Sequence, residues 1–318
     1  MSRISCPICF NQQSTQLEKI ELGEQHRLYA PGDVESQQLL TKLASISVNS
    51  YVMMKCGRCE LEYANPLVAP SESWYSLAYD ILSLYPSNRW EFDYVLERLD
   101  SNDFVAEIGC GSGFFLKKLR DRKIRHHGFD FINSSILSCL EQNLTASLID
   151  ISRDCTELIN KDKRVTAIAS FHVLEHLENP NTLFQWARKV SLDNATLWVS
   201  VPSDRRPTRV LKEVEYLDQP PHHITRWNRS AFEKIGHQNN WELVNVIYEP
   251  ISFRTALWWY STRTQFYRSF YCHTGKSNKW TERLLRYASY PFALDSVLTH
   301  STPMSGFSML AKYVKRDY

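Results

Sequence analysis

From residue 103 onward, short apolar runs alternate with amphipathic stretches, and glycines or polar residues mark the joints. Phe104–Ile108 reads as a strand, Gly109–Gly113 as a glycine turn and Phe114–Arg120 as the start of a helix. Ile124–Phe129 predicts a second strand, Ser134–Gln142 a second helix and Ala146–Ile149 a third strand. Val165–Ser170 is a buried-type strand, followed by a helix over Asn181–Val190 and a strand over Thr196–Val201. Asn228 is a suitable N-cap for a helix over Ser230–Gln238. Trp241–Tyr248 alternates as a strand, and Ser308–Tyr313 reads as the last one. Strands alternating with helices predict an α/β, Rossmann-like fold with a mostly parallel sheet covered by helices on both faces. Ahead of it, residues 71–100 look helical and aromatic. Residues 252–300 form an aromatic helical insertion before the last strand.

Composition narrows the class without naming it. Of 318 residues, 43% are apolar and 23% charged, which excludes a disordered chain or a coiled-coil fibre. No apolar run approaches the ~18–20 residues that span a bilayer, and the N-terminus shows no apolar signal region, so a cytoplasmic address is expected. Net charge is +2, too balanced for a protein held mainly by phosphates, so nucleic acid is not the expected partner. The charge is uneven: residues 251–318 carry a net +7 and the first 250 a net −5. A zinc-ribbon RNA-binding protein, or an enzyme acting on RNA, is the alternative that a salt-dependent gel shift would support.

The eight cysteines include two Cys-x-x-Cys pairs, Cys6/Cys9 and Cys56/Cys59. In a reducing compartment such pairs suit one tetrahedral Zn2+. A closed four-thiolate site has no open position, so the ion is expected to stabilise the fold and take no part in chemistry. Residues 1–64 therefore read as a small zinc-ribbon-like module, 65–100 as a helical linker or lid, and 101–318 as the α/β domain.

The glycine turn carries the chemistry. Glu107-Ile108-Gly109-Cys110-Gly111-Ser112-Gly113 follows a strand and opens a helix, where a ligand can approach the backbone closely. Asp130 ends the next strand, placed to accept hydrogen bonds from a ribose diol. The dinucleotide fingerprint needs Gly-x-Gly-x-x-Gly, whereas this turn is Gly-x-Gly-x-Gly and begins with an acid, which suits an ammonium group better than a pyrophosphate.

With Gly128-Phe129-Asp130 and Ala169-Ser170-Phe171-His172-Val173-Leu174-Glu175-His176, this turn resembles the class I S-adenosylmethionine (SAM)-dependent methyltransferases over residues ~100–250 and the last strand. The resemblance implies a seven-stranded sheet whose last strand runs antiparallel. It also implies that the loop of Glu107, Gly109, Cys110, Gly111 and Gly113 holds the methionine part of SAM, Asp130 the ribose, and Phe131 and Ile132 the adenine. Ser170 and Phe171 belong to the same implied cofactor set. Thr166 stands where the family usually has Asp, and Asp150 is only a weak adenine candidate. The cysteine pairs, Tyr63-Ala64-Asn65-Pro66 and the tyrosine-rich helix further resemble zinc-containing methyltransferases of sugar and cell-surface saccharide pathways.

His172-Val-Leu-Glu175-His176 also spells the inverted zinc-peptidase signature, which requires one helix to carry both histidines. The strand just before it favours His172 at a strand end instead. Pro220-Pro221-His222-His223 lies in the loop after the fifth strand, on the side where ligands bind in open α/β sheets. His222 or His223 is the expected acceptor base, with His172 nearby; the competing reading is packing on Trp227 or capping of the next helix. Tyr75, Tyr79, Tyr85, Arg89 and Trp90 line the acceptor pocket or pack the lid helix. His126 and His127 are expected at the surface ahead of the second strand, and Cys110 shows no sign of being a nucleophile. The insertion reads as a lid, a dimer surface or a transient membrane-surface contact for a lipid-linked acceptor. The expected acceptor is a small molecule, and the positive insertion fits an anionic sugar derivative.

Overall fold

The computed structural model describes residues 5–21, 48–82, 88–151, 164–212, 218–262, 264, 279–299 and 304–316. They belong to two compact units: residues 1–202, 216–247 and 310–318 form the first, and residues 203–215 and 248–309 the second.

The first unit opens with β1 (Ser14–Glu21), β2 (Ser50–Cys56) and β3 (Glu62–Asn65), which pair antiparallel in sequence order. Its helices α1 (Glu72–Leu82) and α2 (Trp90–Leu96) divide the stretch expected to be helical and aromatic. The alternating part then follows the predicted order: β4 (Phe104–Ile108), α3 (Phe114–Asp121), β5 (Arg125–Asp130), α4 (Asn133–Glu141) and β6 (Ala146–Leu148). After it come β7 (Val165–Phe171), a short 3-10 turn at Leu174–His176, α5 (Asn181–Val190) and β8 (Ser191–Pro202).

In the second unit, α6 (Pro207–Val210) is a single turn. The chain returns to the first unit for β9 (Thr225–Arg226), α7 (Arg229–Gln238) and β10 (Trp241–Tyr248). Helices α8 (Phe253–Ser261), α9 (Lys279–Ala288) and α10 (Tyr290–Thr299) complete the second unit, where the expected insertion lies, and β11 (Ser308–Lys315) ends the chain's regular structure. Ser252 caps α8 by accepting the Thr255 amide.

The large sheet has seven strands in the order β10-β11-β8-β7-β4-β5-β6. The pairs β4–β5, β4–β7, β5–β6 and β7–β8 are all parallel. Chain direction across the sheet reverses between β4 and β7, so the loops after these two strands flank an open crevice. β7 (VTAIASF) is buried almost throughout, as a central parallel strand covered on both faces must be. One face packs on α2, α3 and α4 through Phe92, Phe115, Leu116, Ile136 and Phe171. In α5, Leu183, Phe184, Trp186, Ala187 and Val190 recur at helical spacing, and all are buried. Each large side chain so buried contributes roughly 1.5–3 kcal/mol. Asn228 caps α7 as expected, its side chain accepting the Ala231 amide at 2.9 Å.

The small sheet was not legible as a sheet in the sequence. Its order is β1-β2-β3-β9, and its fourth strand comes from the histidine loop. His126 and His127 also differ from expectation. They lie within β5, paired to Val105 and Ala106, and are half-buried; His127 stacks on Phe129 with ring centroids 4.4 Å apart.

Candidate functional site

The loop after β4 is shaped by backbone geometry. Gly109 has φ +74°, and a Cβ there would lie 2.2 Å from Val173 Cγ2. Gly113, at φ +77°, turns the loop into α3; a Cβ there would meet Leu144 and Cys139. Asp130 at the end of β5 ties the loop down: Oδ2 accepts the Gly111 amide and Oδ1 the Ile132 amide, both at 2.9 Å. Burial raises its pKa, against the pull of those amides.

Above this loop opens a cavity of about 530 Å³, in the range of small-molecule sites. Glu107, Gly109, Cys110, Gly111, Asp130, Phe131 and Ile132 line it, as does Phe171. Gly113 does not line it. Ser170 is fully buried within β7 and also lies off the cavity. Phe114, Ile149 and Asp150 are further lining residues. Glu107 is buried, and its Oε2 has no hydrogen-bond partner among the described residues. Burial pushes its pKa well above the ordinary carboxylate range. An unmet carboxylate oxygen in a cavity wall is a place for a ligand ammonium. The hydrogen bond of Cys110 with Cys139 and its burial raise its pKa well above the usual thiol value, which disfavours the thiolate.

The same cavity runs on past the glycine loop to Tyr75, Arg89, His172 and His176. Trp90 does not line it; it packs edge-on against Tyr94 beside the core. Tyr79 lies in α1, and Tyr85 falls outside the described residues.

The histidines are arranged differently from the expectation. His172 follows β7 with φ +55°, a strained conformation for a non-glycine residue. Its Nδ1 meets Glu175 Oε1 at 3.2 Å and its Nε2 meets Glu91 Oε1 at 3.1 Å. Burial and Arg89 oppose charge on this ring, but the two carboxylates outweigh them and raise its pKa. Carboxylates beside both ring nitrogens favour the protonated imidazolium, a form with no lone pair left to take a proton. Only a 3-10 turn follows it, so His172 and His176 do not share a helix face and the peptidase geometry is absent.

His222 and His223, the expected bases, stand off the cavity. They stack on each other at 4.5 Å, and His176 sits edge-on to both at 4.9 and 4.8 Å. His176 fronts the cavity in their place. Its Nδ1 donates to the His222 carbonyl at 2.6 Å, because a carbonyl can only accept; the Tyr75 hydroxyl is 3.3 Å from the same nitrogen. That tautomer leaves the lone pair on Nε2. Burial, then His223 and His222, hold its pKa well below the ordinary histidine value. His176 closes the Ala169–His176 run, which is the signal the sequence carries for it.

The histidine loop is anchored by the small sheet. Ala64 N donates to Ile224 O at 2.8 Å. Arg226, its side chain 9% exposed, meets Glu18 on β1, Glu62 on β3 and Asp218 at 3.0, 3.5 and 3.0 Å, and Asp218 in turn meets His223 Nδ1 at 3.3 Å. At the far end of that sheet the four cysteines gather. Both turns repeat one pattern: Cys6 N donates to Asn11 O and Phe10 N to Cys6 O, while Cys56 N donates to Leu61 O and Glu60 N to Cys56 O. All four sulfurs are buried within 4.8 Å of one another, with Cys6–Cys59 at 3.5 Å and Cys9–Cys56 at 3.4 Å. A hydrogen bond from Cys59 lowers the Cys6 pKa to about 5, while the Cys59 thiol is raised. Sulfurs ~2.3 Å from one tetrahedral ion would stand roughly 3.8 Å apart, so the cluster fits such an ion.

A model of the methyltransferase domain matches residues 88–246, half of the chain. The chain belongs to this family. The protein is a SAM-dependent methyltransferase, and residues 88–246 hold its glycine loop, Asp130 and all the histidines described above. Solved structures similar to it include a SAM-dependent methyltransferase from Archaeoglobus fulgidus, with 17% identity over 70% of this chain and 94% of that one (TM-score 0.48). Coclaurine N-methyltransferase bound to N-methylheliamine and SAH has 14% identity over 71% and 72% (TM-score 0.45). Magnesium protoporphyrin IX methyltransferase from Synechocystis PCC 6803 with bound SAH has 13% identity over 71% and 82% (TM-score 0.44). No curated protein sequence matches the methyltransferase significantly.

Proposed function

We propose that this methyltransferase methylates a small polar acceptor of the saccharide type, a nucleotide-linked or lipid-linked sugar. The observation that carries this reading is one continuous cavity joining the unmet Glu107 carboxylate and Asp130 to Tyr75, Arg89, His172 and His176. Glu107 would take the ammonium group, Asp130 the ribose, and Phe131 with Ile132 the adenine. When bound, SAM supplies a methyl group already activated by its sulfonium. The protein's own task is alignment in a water-poor crevice and removal of one proton.

His176 removes that proton. Its ring lines the cavity, and the His222 carbonyl fixes the tautomer that leaves the lone pair on Nε2. Tyr75 offers a hydroxyl, and Arg89 and His172 offer positive charge, a set that suits sugar hydroxyls and an attached phosphate. The four-cysteine cluster holds a structural Zn2+ through its thiolates, a use of cysteine that suits a reducing, cytoplasmic compartment. The insertion exposes Phe253, Trp280, Leu284, Phe292 and Leu298, with Arg254 and Arg283 also exposed, a mixture that suits brief contact with a membrane surface carrying a lipid-linked acceptor.

The test is a screen of nucleotide sugars, free sugars and RNA with methyl-labelled SAM, beside calorimetry of SAM alone. Label in a nucleotide sugar and none in RNA is the expected result. Absence of SAM binding, or label in RNA alone, overturns the reading.

A further inference from the structure

We propose that a cleft between the first cysteine turn, α5 and the end of α7 is a second binding site, built for an uncharged saccharide. Its volume is about 340 Å³, within the range of small-molecule sites. Phe10 lines it from the cysteine turn, Asn181 and Gln185 from α5, and Gln238 and Asn239 from the end of α7. Glu178 and Asn179 line both this cleft and the large cavity, so the two adjoin. Among the described residues no Lys, Arg or His lines the cleft. A phosphate or carboxylate therefore finds no counter-charge there, and neither does the backbone of a nucleic acid strand.

The chemistry of the cleft is that of amides. Each amide offers two donors and an acceptor oxygen, which matches neighbouring sugar hydroxyls that both donate and accept. One wall is held in advance: Asn181 Nδ2 donates to the Pro7 carbonyl at 3.1 Å, and its Oδ1 accepts Asn239 Nδ2 at 2.9 Å. Asn239 Nδ2 also donates to the Ile235 carbonyl at 2.9 Å, so both its N–H groups are used. Its Oδ1 has no partner among the described residues, although Asn239 is only 8% exposed. A nearly buried amide oxygen left open in a cleft wall is a place for a hydroxyl donor. The side chains of Gln185 and Gln238 likewise have no partner among the described residues. Phe10 supplies an apolar face beside these amides and is 66% exposed. Its φ of +56° belongs to the cysteine turn, since Glu60 has +60° at the same place in the second turn. The turn thus sets the backbone but calls for no aromatic ring, whereas the C–H face of a sugar does. That this saccharide continues the acceptor of the large cavity rests on the function proposed above; the cleft then holds sugar units beyond the one that is methylated.

The full chain, labelled with 15N, is titrated with maltotriose, chitotriose and adenosine while its side-chain amide signals are followed by NMR. Gln185→Ala and Gln238→Ala spectra assign the two glutamine signals. The expected result is a saturable shift of both signals with at least one trisaccharide and none with adenosine. Phe10→Ala and Gln238→Ala should each weaken that binding at least about tenfold, with SAM affinity and melting temperature as in the wild type. No shift with either trisaccharide, an equal shift with adenosine, or undiminished binding in both variants overturns the site. Trisaccharide binding here in a protein that methylates no sugar would overturn the acceptor reading and leave the cleft standing.

Discussion

The carboxylate of Asp130 accepts the Gly111 amide at 2.9 Å, so the residue assigned to the ribose also shapes the loop assigned to the methionine part. The Ile132 amide on its second oxygen fixes the carboxylate plane. Asp130→Ala removes both bonds and the charge. Charge-assisted hydrogen bonds contribute about 1.5–3 kcal/mol each, so SAM affinity should fall by at least about tenfold, measured by calorimetry. Unchanged affinity would refute the dual role.

Gly109→Ala should fail for two separable reasons. The backbone sits at φ +74°, and the new methyl group would lie 2.2 Å from Val173 Cγ2. The conformational cost alone is about 1–3 kcal/mol. The single variant should melt several degrees lower, and Gly109→Ala/Val173→Ala should recover part of that loss. Equal melting of the two variants would show that the contact with Val173 does not matter.

Glu107 makes cofactor binding depend on pH. Burial raises its folded pKa, so the free protein loses stability as pH rises from the ordinary carboxylate range through that raised value. An ammonium ligand needs the charged form, so binding releases a proton and affinity falls as pH falls. Calorimetry in two buffers of different ionisation heat should detect the release, and Glu107→Gln should abolish it.

His176 has its pKa lowered by burial and by the neighbouring histidines, so it remains an acceptor well below the ordinary value of about 6.5. The acid limb of the turnover profile should therefore lie below that pH. His176→Asn should retain SAM binding and lose roughly 10²–10⁴-fold in turnover. A fall in turnover that begins above pH 7 would point to a different base.

Stripping metal from the cysteine cluster should harm turnover more than cofactor affinity. Arg226 and β9 tie the histidine loop to that sheet, whereas the glycine loop hangs from β4 and β5. Chelator-treated protein, or Cys56→Ser, should melt earlier and bind SAM nearly as before, with turnover strongly reduced. Equal losses of both would make the cluster a general staple.

What could be read in the sequence was local. The Glu107–Gly113 turn, Asp130 and the Asn228 cap are each decided by neighbours within a few residues, and all stand where expected. The grouping of His176 with His222 and His223 could not be read because it forms through long-range contacts, such as the Ile224 amide on the Glu175 carbonyl, and the two-residue β9 leaves no periodic pattern. β1 was missed for a different reason: five consecutive residues of STQLEKIE are exposed and only Ile20 is buried, so no apolar alternation marks it. The role of His172 could not be read either, since Glu91 reaches it from 81 positions away.

The union of β3 with β9 has a practical corollary. A truncated protein starting at Asn65 would leave Thr225–Arg226 without the strands that brace it, and Asp218 would keep Arg226 with neither Glu18 nor Glu62 beyond it. Nor can the cysteine-bearing segment be exchanged for a foreign tag or a homologous ribbon without redrawing the wall behind the acceptor. Any minimal version of this enzyme has to begin before the first cysteine pair.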